Sequence, residues 1–162
     1  MKWFKKQSKE RLVYEGIALL LLKQTHDAVK DSSQTLKKQL NAAEQSKLAK
    51  VEAELSYFNV FALDYWIQMS PTYSLEKQRL IRGAFHTHLA NIINMDTLQQ
   101  RLTEYGQVIN KAQGDQAKYA DFGMRLSKFC DMPSVLFLVI APDLFTRALE
   151  TISIIESGIP KP

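Results

Sequence analysis

Residues 51–69 read VEAELSYFNVFALDYWIQM, and this stretch decides the fold. Between Tyr57 and Ile67 only Asn59 and Asp64 are plainly polar, so a helix here would be apolar on nearly every side. The apolar run is too long for a strand, and it contains no glycine or proline that would interrupt a helix. The sequence therefore predicts a buried central helix over about residues 51–69.

Heptad spacing on this stretch predicts that other helices pack against it. One row of apolar residues recurs every seven positions, and a second row lies between its members: Leu48, Leu55, Ala62 and Met69, with Val51, Phe58 and Tyr65. Ser70-Pro71 should end the helix, because proline disfavours helical geometry in the residue before it.

Size and composition favour one domain in a reducing compartment. The chain has 162 residues, 46% of them hydrophobic, which is enough for one core without disulfides or metals. The single cysteine, Cys130, cannot form an internal disulfide, and its residue type is typical of a small buried hydrophobe. These features predict a cytoplasmic protein.

The segments before the central helix leave one question open. An amphipathic pattern predicts a helix from about Glu10 to Lys30, which Asp31-Ser32-Ser33 should break. From Gln34 to Met69 no glycine or proline occurs, so the chain forms either one long helix or two helices with a break near Asn41.

The segments after the central helix predict four or five more helices. Ser74 should cap one to about Asn94, Asp96 one ending before Gly114, and Asp115 one to about Cys130. Pro142 should kink or divide the last segment. On the helix after Asp115, the predicted inward residues are Ala117, Ala120, Met124 and Phe129.

Together these patterns predict an all-α, single-domain bundle of five to seven helices around the central one. The bundle should comprise residues 10–158, between a basic aromatic segment at 1–9, which the sequence allows to lack order, and a tail at 159–162.

Positive charge is concentrated at the start of the chain. Residues 1–50 carry 11 lysines or arginines and 5 acidic residues, a net +6, which suggests an anionic partner or simply a solvated lysine face. Within MKWFKK, the predicted contacts with an anionic membrane surface are Lys2, Trp3, Phe4, Lys5 and Lys6; alternatively, the two aromatic residues fold back onto the bundle. Nucleic-acid binding is not favoured, because no recognition module can be placed.

No motif predicts catalysis, a metal or a cofactor. The chain lacks GxxxxGK[ST], GxGxxG, CxxC, HExxH and GxSxG, and no histidine follows a glutamate by three residues. His86 and His88 are two apart on a predicted helix and point about 200° away from each other, so they cannot share an ion. The pattern places His88 on the buried arc and His86 with Arg79 and Arg82.

Asp64 is the most unusual residue, because an unpaired carboxylate on an aromatic helix face is energetically costly. Counting from the turn, Arg79 and Arg82 of the next helix lie level with it and are the candidate partners. The preferred interpretation is a structural ion pair. The alternative is a ligand-binding or catalytic pocket formed by Asp64, Tyr57, His88, Arg79 and Arg82.

Because no motif indicates catalysis, a metal or a cofactor, three functional hypotheses remain. The first is a non-enzymatic interaction or regulatory protein that binds a protein partner or self-associates, for example as a homodimer through Leu36, Leu40 and Leu48. The second is a small-ligand-binding protein or enzyme with a pocket around Asp64. The third is a peripheral membrane adaptor anchored by its basic N-terminus.

Overall fold

A computed structural model describes residues 2–158, with side chains from Glu10 onward, and shows one all-α domain. Across these residues the chain forms seven α-helices, within the predicted range of five to seven. Their bounds are α1 Lys2–Lys37, α2 Ala42–Gln45, α3 Leu48–Met69, α4 Leu75–Leu89, α5 Met95–Lys111, α6 Asp115–Cys130 and α7 Phe137–Gly158, with a 3-10 turn at Ser134–Leu136 before α7.

Helix α3 is the buried centre of the bundle, as its sequence predicts. It contacts α1, α4, α5, α6 and α7, and its residues from Tyr57 to Asp64 are all buried. Its phenylalanines join an aromatic cluster, with ring centroids 5.0 Å apart for Phe58 and Tyr105 and 5.6 Å apart for Phe61 and Phe122. Such edge-to-face pairs stabilise a core beyond the area that they bury.

A tight hairpin joins α3 to α4. The Ser74 side chain accepts a hydrogen bond from the backbone N–H of Lys77, which confirms the predicted cap. The buried Gln78 amide donates to the carbonyl of Gln68, near the end of α3, and to the carbonyl of Tyr73, in the turn. These bonds fix how far α4 is shifted along α3, and thus which of its side chains face Asp64.

Helix α1 does not end where the sequence predicts. Asp31-Ser32-Ser33 lies within α1, because the segment contains no glycine or proline and both serines are small enough to be buried. The Ser33 hydroxyl donates to Glu52 of α3 at 2.5 Å instead of capping a new helix. The predicted break near Asn41 is present, since Asn41 caps α2 through a capping box. A second break at Ser46-Lys47 separates α2 from α3, so residues 34–69 lie in three helices and not in one or two.

The leucine stripe predicted to mediate self-association lies largely inside the chain. Leu36 and Leu40 are buried in the core, and Leu48 is partly buried against it. These leucines therefore do not form an exposed surface that a second copy could contact.

Two further predictions on the later helices need correction. On α6, Ala117, Ala120 and Met124 are exposed, because the larger Phe122 and Leu126, four residues apart, determine which face is buried. Asn94, not Asp96, caps α5.

Pro142 does not divide α7. Pro142 lies in the second turn of α7, where its missing N–H removes one backbone hydrogen bond near the start of the helix.

A buried ion pair fixes α5 against α3. The Arg101 guanidinium donates from Nε and Nη2 to both carboxylate oxygens of Glu54, at 2.7 and 2.8 Å. Its central carbon lies 3.7 Å from the centre of the Phe129 ring. This bidentate pair was not predicted, because Glu54 precedes the apolar run and its position resembles that of a surface residue.

Candidate functional site

Asp64 lies on α3 where α4 crosses it, and its side chain is only 3% exposed. Its Oδ2 atom accepts a hydrogen bond from Arg82 Nη2 at 3.2 Å and a second from His86 Nε2 at 2.8 Å. The predicted pairing of Asp64 with an arginine of the next helix is therefore present, and the partner is Arg82.

His86 is the residue of this cluster that the sequence interpretation missed. Arg82 and His86 are four residues apart on α4 and so project from the same side of the helix. This spacing could have predicted the contact, because a helix face that places Arg82 beside Asp64 also places His86 beside it. The sequence pattern places His86 with Arg79 and Arg82, but the prediction named only the two arginines as partners of Asp64.

Three predicted members of the pocket lie elsewhere. Arg79 is exposed and lines a groove between α1 and α4, whereas Tyr57 is buried beside a different groove, between α1 and α3. The prediction that His88 is buried is wrong: its side chain is 34% exposed and hydrogen-bonds Glu15 of α1 at 2.8 Å. The buried face of α4 follows Ile81, Phe85 and Leu89, which turns His88 toward the α1 edge.

The Asp64 cluster has unused hydrogen-bonding capacity. Asp64 Oδ1 and Arg82 Nε are both buried, and neither has a hydrogen-bond partner. Buried polar atoms are nearly always paired, since leaving one without a partner costs about 1–3 kcal/mol. The cluster thus keeps one acceptor and one donor unsatisfied inside the protein, where they are closed to solvent.

A cavity of about 470 Å³, here called the Asp64 cavity, adjoins this cluster between α3, α4 and α5. Its walls combine the polar pair with aromatic, aliphatic and amide side chains. They are Phe61, Asp64, Tyr65, Gln68 and Met69 of α3, Arg82 of α4, and Leu102, Gly106, Ile109 and Asn110 of α5.

A second candidate site is the outward face of α1, defined by Leu12, Val13, Gly16, Leu19 and Leu20. The four apolar side chains are exposed by 71, 49, 55 and 54%, although α1 buries Ile17, Ala18 and Leu21 on its opposite side. Leu12 and Leu19 are seven residues apart, as are Val13 and Leu20, so the pairs lie two helical turns apart on one side of α1 with Gly16 between them. Exposed apolar residues that cluster in this way indicate an interaction surface, unlike isolated ones.

Charged residues flank this face. On the C-terminal side, Lys23 forms an ion pair with Asp27 at 2.6 Å. On the N-terminal side, the sequence contains Lys2, Lys5, Lys6 and Lys9 before the first acidic residue, Glu10. Helix α1 begins at Lys2, but the side chains of residues 2–9 lie outside the described part, so the predicted membrane contacts, including Trp3 and Phe4, stay predictions.

Other reactive groups do not form a third candidate site. Within the described part of the chain, no three histidine, cysteine or acidic side chains are grouped so that they could hold a metal ion. Cys130 is fully buried, and burial raises the pKa of its thiol to about 12. A thiol with this pKa remains protonated at neutral pH and is a poor nucleophile.

Comparison of the chain with protein-family models, with characterised proteins and with solved structures found no match. In addition, none of the helices between residues 2 and 158 has the length and apolar content needed to cross a membrane.

Proposed function

We propose that this chain is a non-enzymatic helical interaction protein that attaches to an anionic membrane surface through the outward face of α1. The observation that carries this proposal is the exposed apolar stripe of that face on a helix whose first turns are rich in lysine. Anionic lipids are concentrated in the cytoplasmic leaflet, so a cytoplasmic location fits the same proposal.

The apolar side chains provide one part of the attraction. Moving a leucine or valine side chain fully out of water is favourable by about 1.5–3 kcal/mol. The four side chains of the stripe are about half exposed or more, so their insertion would contribute roughly 4 kcal/mol to the free energy of membrane binding. The core of the protein lies on the opposite side of α1. Insertion of this face therefore requires no rearrangement of the bundle.

The lysines provide the other part. Four lysines, at positions 2, 5, 6 and 9, precede Leu12 in the sequence, where the one acidic residue is Glu10. Each basic residue near an anionic surface contributes about 1 kcal/mol, and salt screens that attraction. The apolar and electrostatic contributions are comparable, and loss of either should weaken binding.

The shape of the face favours a lipid surface over a protein groove. A Cβ atom added at Gly16 would meet nothing within 4 Å, so no other segment covers the middle of the stripe, which keeps the convex surface of a helix. A convex amphipathic face can enter the headgroup layer without a complementary pocket. The competing hypothesis is that this face binds a protein partner, including a second copy of this chain, and the test below distinguishes the two.

Co-sedimentation with vesicles tests the proposal. The intact chain should sediment with phosphatidylcholine vesicles that contain phosphatidylserine, and sediment less as salt rises. Leu12→Glu should weaken this binding by about tenfold or more, since it removes an inserted side chain and adds a repelled charge. Leu75→Glu is the matched control, because Leu75 of α4 is 74% exposed but lies outside the stripe.

Two results would contradict the proposal. One is failure of the intact chain to bind anionic vesicles at low salt. The other is equal weakening by the Leu12 and Leu75 substitutions. If sedimentation velocity instead shows a dimer that only Leu12→Glu dissociates, the face mediates self-association.

A further inference from the structure

We propose that the outer surface of the hairpin formed by α6 and α7 binds an acidic amphipathic helix of a protein partner. This surface, here called the α6–α7 surface, comprises four exposed apolar side chains and three lysines: Met124, Val135, Leu138 and Val139, with Lys47, Lys50 and Lys128. It is separate from the outward face of α1, and binding at one does not require binding at the other.

The apolar side chains form one patch across two helices. Val135, Leu138 and Val139 are spaced by three and four residues around the start of α7, and they are exposed by 69, 43 and 76%. Gly123 brings α6 close to them, since a Cβ atom added there would lie 3.1 Å from Leu138 Cδ2. Met124, the next residue of α6, is 52% exposed and extends the patch onto that helix. Clustered exposed apolar residues indicate a binding surface, unlike single ones.

The patch has the shape of a shallow groove between two helices. Leu138 lies at the seam where α7 meets Gly123, and it is less exposed than Met124 of α6 or Val139 of α7. A groove of this kind accommodates an amphipathic helix, whose apolar residues at positions i, i+3, i+4 and i+7 enter it. This shape distinguishes the α6–α7 surface from the convex stripe of α1.

Positive charge beside the patch specifies an acidic partner. Lys128 lies one helical turn after Met124 and so projects from the same side of α6. Lys47 donates to the backbone carbonyl and to the carboxylate of Asp131, both at 2.7 Å, which places it at the connection between α6 and α7. The hydrogen bond from Lys47 lowers the pKa of Asp131, and the nearby charge of Lys50 lowers it further.

The lysines keep a net positive charge after their acidic neighbours are counted. Asp131 is paired with Lys47, whereas within the described part of the chain no ion pair includes Lys50 or Lys128. Two acidic residues farther along the hairpin each lie four residues before an arginine of the same helix: Asp121 before Arg125, and Asp143 before Arg147. Acidic residues that flank the apolar row of a partner helix would therefore meet two available lysines. Such complementary charge increases the rate and the specificity of association.

Two other occupants fit this surface less well. In a symmetric dimer the same surface of each copy meets, so the lysines of both copies would come together in one interface. A single membrane cannot contact both this surface and the outward face of α1, because the two lie on different sides of the bundle. Helix α1 packs against α3, α4 and α7, whereas α6 packs against α3, α5 and α7.

The two surfaces also lie at opposite ends of the bundle. Hydrogen bonds of Asn59 with Gln24 and of Ser33 with Glu52 show that α1 runs antiparallel to α3. Residues 12–20 are therefore level with the C-terminal end of α3, whereas Lys47 precedes its first residue. A chain attached to a membrane through α1 keeps the α6–α7 surface accessible to a protein, and only this arrangement rests on the proposed function.

Binding of synthetic amphipathic peptides tests the proposal. The probe is a helical peptide of about five turns with leucines on one face and glutamates on the other. The comparison peptide has lysine in place of every glutamate. In a ¹H–¹⁵N NMR titration of the full chain, the glutamate peptide should shift the amide signals of residues 47–50, 124–128 and 134–139, and it should bind less as salt rises. The lysine peptide should bind at least about tenfold more weakly.

Two pairs of variants locate the binding site. Val139→Glu should weaken binding of the glutamate peptide by about tenfold or more, because it places a negative charge in the patch. Ile154→Glu is the matched control, since Ile154 is 70% exposed on the same helix but lies about four turns farther along it. Lys128→Glu should weaken binding by about fivefold, whereas Lys77→Glu, at an exposed position of α4, should leave it unchanged.

Each competing occupant gives a different result. The proposal is wrong if the glutamate peptide does not bind, if the lysine peptide binds equally well, or if Val139→Glu and Ile154→Glu weaken binding alike. It is also wrong if Val139→Glu abolishes sedimentation with anionic vesicles or dissociates a dimer, since the surface then binds lipid or a second copy. Failure of membrane attachment through α1 is detected with Leu12→Glu instead, so the two failures are distinguishable.

Discussion

Replacement of Asp64 by alanine should destabilise the protein mainly through the partners that it leaves behind. The substitution removes the hydrogen bonds of Asp64 Oδ2 with Arg82 and His86 and leaves a guanidinium without its counter-charge. Removal of one member of a fully buried pair costs about 3–5 kcal/mol. The Arg82 and His86 side chains are 33 and 20% exposed, so water can solvate part of them. The expected loss in the free energy of unfolding is therefore about 2–3 kcal/mol.

Urea unfolding followed by circular dichroism can measure this loss. The variant Asp64→Ala should unfold at lower urea than the parent chain with an unchanged dependence on urea concentration. The double variant Asp64→Ala/Arg82→Leu should recover at least about 1 kcal/mol, because no charge is left without its partner. A loss below about 0.5 kcal/mol, or a double variant that loses the sum of both single variants, would refute the ion-pair reasoning.

Two further predictions concern the core. Arg101→Met should lower the free energy of unfolding, measured with urea, by about 3–5 kcal/mol, because Glu54 is only 7% exposed and would lose its bidentate partner. A loss below about 1 kcal/mol, as for an exposed ion pair, would contradict this prediction. Stability should also fall as pH rises from 9 to about 12. Burial raises the pKa values of Cys130 and Tyr73 to about 12, from usual values of 9.0 and 10.0, so the unfolded chain loses these protons first. Each such group adds a slope of about 1.4 kcal/mol per pH unit, and Cys130→Ala should reduce the total slope in a pH series of urea midpoints.

The general architecture could be predicted because its signals are local. The apolar run of α3 has no polar side, which is sufficient to place it at the centre whatever the order of the other helices. Ser74 and the short turn predict the α3–α4 hairpin and, with it, the approach of Arg82 to Asp64. The break at Asn41 could be proposed but not decided, because the competing long helix contains no residue that forbids it.

The remaining features depend on packing between distant segments. Ser33 suggests a helix start in the sequence, yet its hydroxyl bonds Glu52 once α1 and α3 are packed together. Whether His88 is buried depends on where α1 crosses α4, and the sequence of α4 alone does not contain that information. The Asp64 cavity likewise depends on how α5 approaches α3, which no spacing within one helix determines.

The contacts of α7 with α3 have a consequence for synthesis of the protein on the ribosome. The Trp66 indole N–H donates to the carbonyl of Phe145, 79 residues later, and the Phe145 ring packs against both Phe61 and Phe122. The central helix α3 therefore leaves the ribosomal exit tunnel long before α7, the last helix that packs against it, is translated. Until Phe145 follows, the most apolar segment of the nascent chain remains incompletely covered, and this interval is when chaperone binding would protect it most from aggregation.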